Sequence, residues 1–200
     1  MRSKRVSIVR TTLAILAMMV FMTSAWAAPQ EKVLHSFDAS GKDEYNPIAR
    51  LVFDAAGDLC GTAASGGVYG HGAVFELKPK VGGGWTKKVL RSFNDNDGFD
   101  APGLIIDGIG NLYGTTCHGG AYGWGTVFEL TPKTGGGWNE KVLHSLNLKD
   151  GACSFASLVM DGSGNLYGTT YEGGVHGWGT VFELTPKTGG GWTYKILHSF

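Results

Sequence analysis

Residues 110–138 read GNLYGTTCHGGAYGWGTVFELTPKTGGGW, and residues 164–192 read GNLYGTTYEGGVHGWGTVFELTPKTGGGW. The two agree at 25 of 29 positions. Residues 57–85, GDLCGTAASGGVYGHGAVFELKPKVGGGW, match the second of these at 19 of 29. The starting points lie 53 and then 54 residues apart, so the chain is one unit written three times. Working outward, each copy follows a short apolar run ending in Asp, at 51–54, 104–107 and 158–161. An apolar strand ending in Ser-Phe or Ser-Leu recurs at 33–37, 89–93, 142–146 and 196–200.

The middle copy shows the local chemistry. Residues 104–107 form a short apolar strand. Asp107, Gly108, Gly110 and Asn111 then make a tight turn, because Gly reaches positive φ and an Asp or Asn side chain satisfies nearby backbone amides. Residues 112–116 are the next strand, with Leu112 and Gly114 on one face and Tyr113 and Thr115 on the other. After Gly119-Gly120, residues 125–131 set Val127 and Glu129 against Phe128 and Leu130, and Pro132 ends the ladder. A three-glycine turn leads into a fourth strand at 138–146.

Four antiparallel strands in about 50 residues describe a blade, so the sequence predicts an all-β, β-propeller-like tandem repeat. Stacking on neighbours would cover both faces of each blade. Phe75/Leu77, Phe128/Leu130 and Phe182/Leu184 are the expected core, each side chain contributing about 1.5–3 kcal/mol on burial. The domain covers 28–200, with units at approximately 31–84, 85–137 and 138–191 and an extra strand at 192–200. Closed propellers typically need at least four blades. Three arrangements answer the shortfall: a fragment of a longer propeller, closure by a homo-oligomer, or an open stack.

Arg2, Lys4, Arg5 and Arg10 precede an apolar run at 13–22, and Ala25-Trp26-Ala27 offers a small-x-small cleavage site. This is the pattern of a secretory signal peptide over 1–27, and the expected location is secreted, periplasmic or cell-surface. Removing it leaves 13 bases against 17 acids, a net charge of about −4. Such a chain has no electrostatic reason to bind nucleic acid. No later apolar run reaches 18 residues, so no transmembrane segment is expected in the mature chain. Gly is 33 of 200 residues but never every third one, which excludes collagen.

Cys60, Cys117 and Cys153 show neither CxxC nor Cys/His spacing, which leaves zinc and thioredoxin-like chemistry without support. An oxidising compartment permits a disulfide, and Cys117 with Cys153 is the preferred pair because both lie in predicted connections. The alternative is three unpaired small apolar residues; Cys60, at the position of Tyr113 and Tyr167, fits that description.

Several polar positions repeat and therefore read as structural. Glu76, Glu129 and Glu183 share one strand position; paired carboxylates hydrolyse glycosides, but here each belongs to a different unit. Asp54, Asp107 and Asp161 read as turn caps. His35, His144 and His198 belong to the repeated apolar strand. Asp95, Asp97 and Asp100 form an acidic loop that invites calcium only superficially, since an EF-hand register puts Phe93 at the first ligand position. Residues that vary within the repeating frame are the binding candidates: His118, Tyr122 and Trp124 in the second copy, and Tyr171, Glu172, His176 and Trp178 in the third. The first copy has Ala64, Ser65, Val68, Tyr69 and His71 there. Loops on one rim of a repeat scaffold often form its binding face, and aromatics with His and Glu suit a glycan or protein ligand.

The runs DGxGNLYGTT, GTVFELTP, GGGW and LHSF together resemble the choice-of-anchor tandem repeat GloVer-containing proteins, an exported bacterial family, over nearly all of 31–200. The resemblance implies a secreted or surface repeat protein of propeller-like fold, often with a separate C-terminal anchoring domain. The Asp-x-x-Gly-Asn-Leu-Tyr turn is also similar to NHL blades. The expectation is an exported binding or structural module, more a scaffold than an enzyme. A carbohydrate-active hydrolase or lyase is the alternative; it requires a single asymmetric cluster of acid, base and orienting groups. No GxSxG elbow is present.

Overall fold

The computed structural model describes residues 31–38 and 43–200. The signal-peptide reading at 1–27 lies outside the described residues. All strands among the described residues belong to the compact unit spanning residues 34–200. A short pair, β1 (Glu44–Tyr45) and β4 (Ser65–Gly66), accompanies the first sheet, which is β2 (Val52–Phe53), β3 (Leu59–Ala63), β5 (Ala73–Pro79) and β6 (Trp85–Ser92). The second sheet is β7 (Leu104–Ile106), β8 (Leu112–Thr115), β9 (Thr126–Pro132) and β10 (Trp138–Ser145). The third is β11 (Val159–Met160), β12 (Leu166–Thr170), β13 (Thr180–Pro186) and β14 (Trp192–Ser199). Each is an antiparallel meander in sequence order.

This corrects the expectation of a β-propeller. The three four-stranded sheets follow one another in tandem, and none is closed into a barrel or ring. Three units fall below the count at which blades typically meet around an axis. The extra strand expected at 192–200 is not extra either. β14 pairs with β13 from Thr180↔Ser199 to Pro186↔Trp192 and completes the third sheet. The three-glycine turn joins the last two strands of every unit, so the sheets span 52–92, 104–145 and 159–199.

Packing explains the repeated glycine of each second strand. A Cβ on Gly61, Gly114 or Gly168 would lie 2.8, 2.6 or 2.4 Å from the Cζ of Phe75, Phe128 or Phe182. Each phenylalanine thus lies flat across the glycine of the adjacent strand. Phe128 and Leu130 face the first sheet and pack with Cys60, Val74 and Phe93. Phe182 and Leu184 face the second sheet and pack with Tyr113 and Val127. A β-bulge at Leu90, Leu143 and Leu197 interrupts each last hairpin at the same place. Leu90 and Leu143 are thereby turned into the two junctions.

A charged cluster closes the first junction. Arg91 pairs with Asp97, and its Nε lies 2.6 Å from Glu140 Oε2. The Glu140 side chain is 8% exposed. Burial, reinforced by the neighbouring Asp97 carboxylate and opposed by Arg91, pushes its pKa from 4.5 up to about 8. Between these values the folded chain holds a proton that the unfolded chain has lost. Its stabilising contribution is therefore complete below about pH 4.5 and falls as pH rises to about 8. Glu140→Gln keeps the shape of the neutral acid. Thermal unfolding across this window is expected to show a shallower fall in Tm for the variant, and an unchanged slope would remove Glu140 as the cause.

Candidate functional site

In every unit, the loop before the first strand meets the loop after the second. β1 pairs with β4 in the first unit, Phe99 bridges to His118 in the second, and Ala152 bridges to Glu172 in the third. Asn46, Asp100 and Cys153 hold the same place in these loops, with φ of 59°, 60° and 48°. Asn and Asp tolerate that conformation through local hydrogen bonding, whereas cysteine is an unusual occupant. Cys153 is joined by a disulfide to Cys117 of the preceding unit.

The corresponding place between the first and second units is open. A cavity of about 740 Å³ lies there, lined by Asn46, Ser65, His71, Phe99, Asp100 and His118 among others. Its aromatic rings form a row. The His71 and Phe99 centroids are 4.7 Å apart, and Phe99 stacks on His118 at 5.0 Å with 16° between the planes. His71 Nε2 lies 3.2 Å from Asp95 Oδ1, and His118 Nδ1 lies 3.9 Å from Asp100 Oδ2. The surface thus combines stacked rings with an amide, a hydroxyl and carboxylates at its edge. A concave surface of this composition offers ring faces for contact and a few fixed polar groups beside them.

Of the varying positions named from sequence, His118 of the second copy and Ala64, Ser65 and His71 of the first line this cavity. Tyr122, Trp124, Tyr171 and Trp178 are 63%, 41%, 65% and 80% exposed and sit on the rims of the second and third units. Glu172 and His176 are exposed as well. Trp124 contributes its carbonyl to the Cys153 amide, and Tyr171 packs edgewise on Phe155. His71 was among the varying positions of the first copy, whereas Phe99 was not named from sequence. They are 28 positions apart in sequence and meet only because Phe99 pairs with the His118 loop.

The acidic loop disperses its carboxylates. Asp97 receives Arg91, the Asn94 amide and Asn94 Nδ2, while Asp95 meets His71 and Asp100 lies near His118. Two groups of ligand-type side chains come together among the described residues. In the first, Asp100, Cys117 and His118, the sulfur belongs to the disulfide and offers no thiolate. In the second, Asp54, Asp58 and Glu76, Lys78 Nζ lies 2.7 Å from Asp58 and supplies the cation. The sister units keep the Asp54 and Glu76 carboxylates but put Asn111 and Asn165 in place of Asp58, and Thr131 and Thr185 in place of Lys78. Asp107 accepts from the Ile109 and Asn111 amides and from Asn111 Nδ2, and the Tyr113 hydroxyl donates to Glu129 at 2.9 Å. Asp161, Asn165, Tyr167 and Glu183 repeat this arrangement. Cys60 takes the tyrosine's place in the first unit, and burial, then the nearby Glu76, pushes its thiol up to about 12.

A sequence model described as a Gloeobacter/Verrucomicrobia repeat matches residues 19–200. The chain is also similar to flagellar radial spoke protein 1 of Chlamydomonas reinhardtii, with 38% identity over 92 residues. That match covers 44% of this chain and 11% of the radial spoke protein, so the chain spans only a small part of that relative's length.

Proposed function

The chain belongs to the Gloeobacter/Verrucomicrobia repeat family, and from that premise we propose that it is an exported, non-catalytic module that binds a glycan in the rim cavity between its first two sheets. A tandem-repeat structural module is the established part of this reading. One observation carries the rest: the rim position between the first two units stands open in a repeating frame. It holds the His71–Phe99–His118 row, where the next position holds a disulfide. Ring faces suit the C–H face of a sugar, and Asn46, Ser65 and Asp100 supply acceptors and donors for hydroxyls. The apolar run and cleavage pattern at 1–27 support export, as does a disulfide, which persists in oxidising compartments.

A glycan array probed with the full chain is expected to give hits. His71→Ala and His118→Ala should each weaken a hit about tenfold or more, roughly 1.4 kcal/mol or above. Trp178→Ala, on the far rim, should leave it unchanged. Binding indifferent to both histidines, or hits confined to peptides, would overturn the reading. Turnover of a bound glycan would replace the binding module with a hydrolase or lyase.

A further inference from the structure

The two inner junctions share one design. In each, the Phe-x-Leu face of one sheet packs on the opposite face of the sheet before it. In each, a residue of the earlier sheet's last strand also meets an acid in the next loop, Arg91 with Asp97 and His144 with Asp150 at 3.0 Å. Residues 34–37, Leu-His-Ser-Phe, copy the tail of a last strand without being in a strand themselves. They lie on the first sheet as such a tail would. Phe37 is 5.1 Å from Phe75, as Phe93 is 5.2 Å from Phe128, and His35 meets Asp43 at 2.9 Å.

The third sheet presents the same docking face to the outside. Val127 and Tyr113 are 0% and 5% exposed, whereas their counterparts Val181 and Tyr167 are only half-buried. Phe93 and Leu146 are fully buried, but Phe200 in the same position is 56% exposed. Val159 and Leu197 on this sheet are 63% and 45% exposed. His198 stands where Arg91 and His144 stand and is exposed beside Phe200. Among the described residues, no sheet packs on this face. At the opposite end, the cover given by residues 34–37 is partial. Leu51 is 39% exposed, while its counterparts Leu104 and Leu158 are 2% and 1% exposed.

We propose that the outward face of the third sheet docks a second copy of this chain through that copy's Phe75/Leu77 face, with β14 taking the place of the copy's residues 34–37. The molecule shows twice which surface fits this face, and its first sheet carries a third example of that surface. His198 would then stand opposite the second copy's Asp43, in the place of His35. The contact is heterologous, since each copy uses a different surface. A copy's own residues 34–37 compete from within the chain at high effective concentration, so association depends on protein concentration and strengthens when that segment is weakened.

Sedimentation velocity of the full chain over a concentration series reads this directly. The wild-type mass should rise with concentration, and Leu34→Ala with Phe37→Ala should lower the concentration for half-association about tenfold. Val181→Arg, on the third-sheet face, and Leu51→Arg, beside Phe75 at the other end, should each be monomeric. Mixed together, these two variants retain one good surface apiece and should form a one-to-one dimer and nothing larger. Circular dichroism confirms that each is folded. If Phe37→Ala disturbs the fold, the mixture still decides. Wild type and the Leu34/Phe37 variant both monomeric at millimolar concentration, Val181→Arg associating like wild type, or a mixture that stays monomeric would each overturn the proposal.

Discussion

Reducing the Cys117–Cys153 disulfide is expected to lower the unfolding free energy by about 4 kcal/mol. The bond closes a loop with a sequence separation of 36. Chain entropy assigns a cross-link of that size a value between the roughly 3 kcal/mol of a 15-residue loop and the 4.7 of a 100-residue loop. The loops it ties lie outside the ladders and belong to different sheets, so no strand pairing substitutes for it. The loss should fall on the junction of the second and third sheets, because the first junction has no cross-link and relies on packing and the Arg91 cluster. Urea unfolding with and without reductant checks this, with Cys117→Ala/Cys153→Ala as the chemical control. A difference below about 1 kcal/mol would mean that junction is held by apolar packing alone. Cys60 is buried and its thiol is pushed up to about 12, so it should resist modification in the native protein under both conditions.

The repeating frame was legible because periodicity reports it directly. Alternation about Phe128 and Leu130 placed the core face, and the Asp107–Asn111 turn announced a hairpin whose hydrogen bonds the structure shows. Closure was not legible in the same way. A blade-like strand pattern specifies what covers each sheet locally, but the number of units around an axis is not written in any one of them. The boundary of a unit was misplaced for a related reason. In sequence the Leu-His-Ser-Phe tail can begin a unit or end one, and only the register of β13 with β14 shows that it ends one. The rim cavity was half legible. His118 stood out by varying within a constant frame, but Phe99 came from a different connection, and the pairing that stacks them is a single bridge between loops. Variation between copies marks where a site can be, while the partner a loop finds across a junction depends on how the sheets stack.

That dependence makes Phe128 the most informative core position. Phe128→Ala is expected to cost about 3–5 kcal/mol, the range for emptying a fully buried aromatic site. Its ring is 0% exposed, lies over Gly114 and meets Phe93 edgewise at 5.2 Å, so walls from two sheets surround it. Neither wall can move in without breaking a ladder, and the cavity should persist. Phe75→Ala removes the same side chain from a site covered by residues 34–37 and Trp85. That segment is in no strand and is free to settle, so the loss should be smaller by about 1 kcal/mol or more, since a cavity costs less where its walls collapse. Thermal and urea unfolding of the two variants side by side measures the contrast. Equal losses would show that residues 34–37 hold the first sheet as rigidly as a neighbouring sheet would. A segment held that firmly would not yield its place to β14 of another copy, so this comparison of single-chain stabilities also bears on self-association.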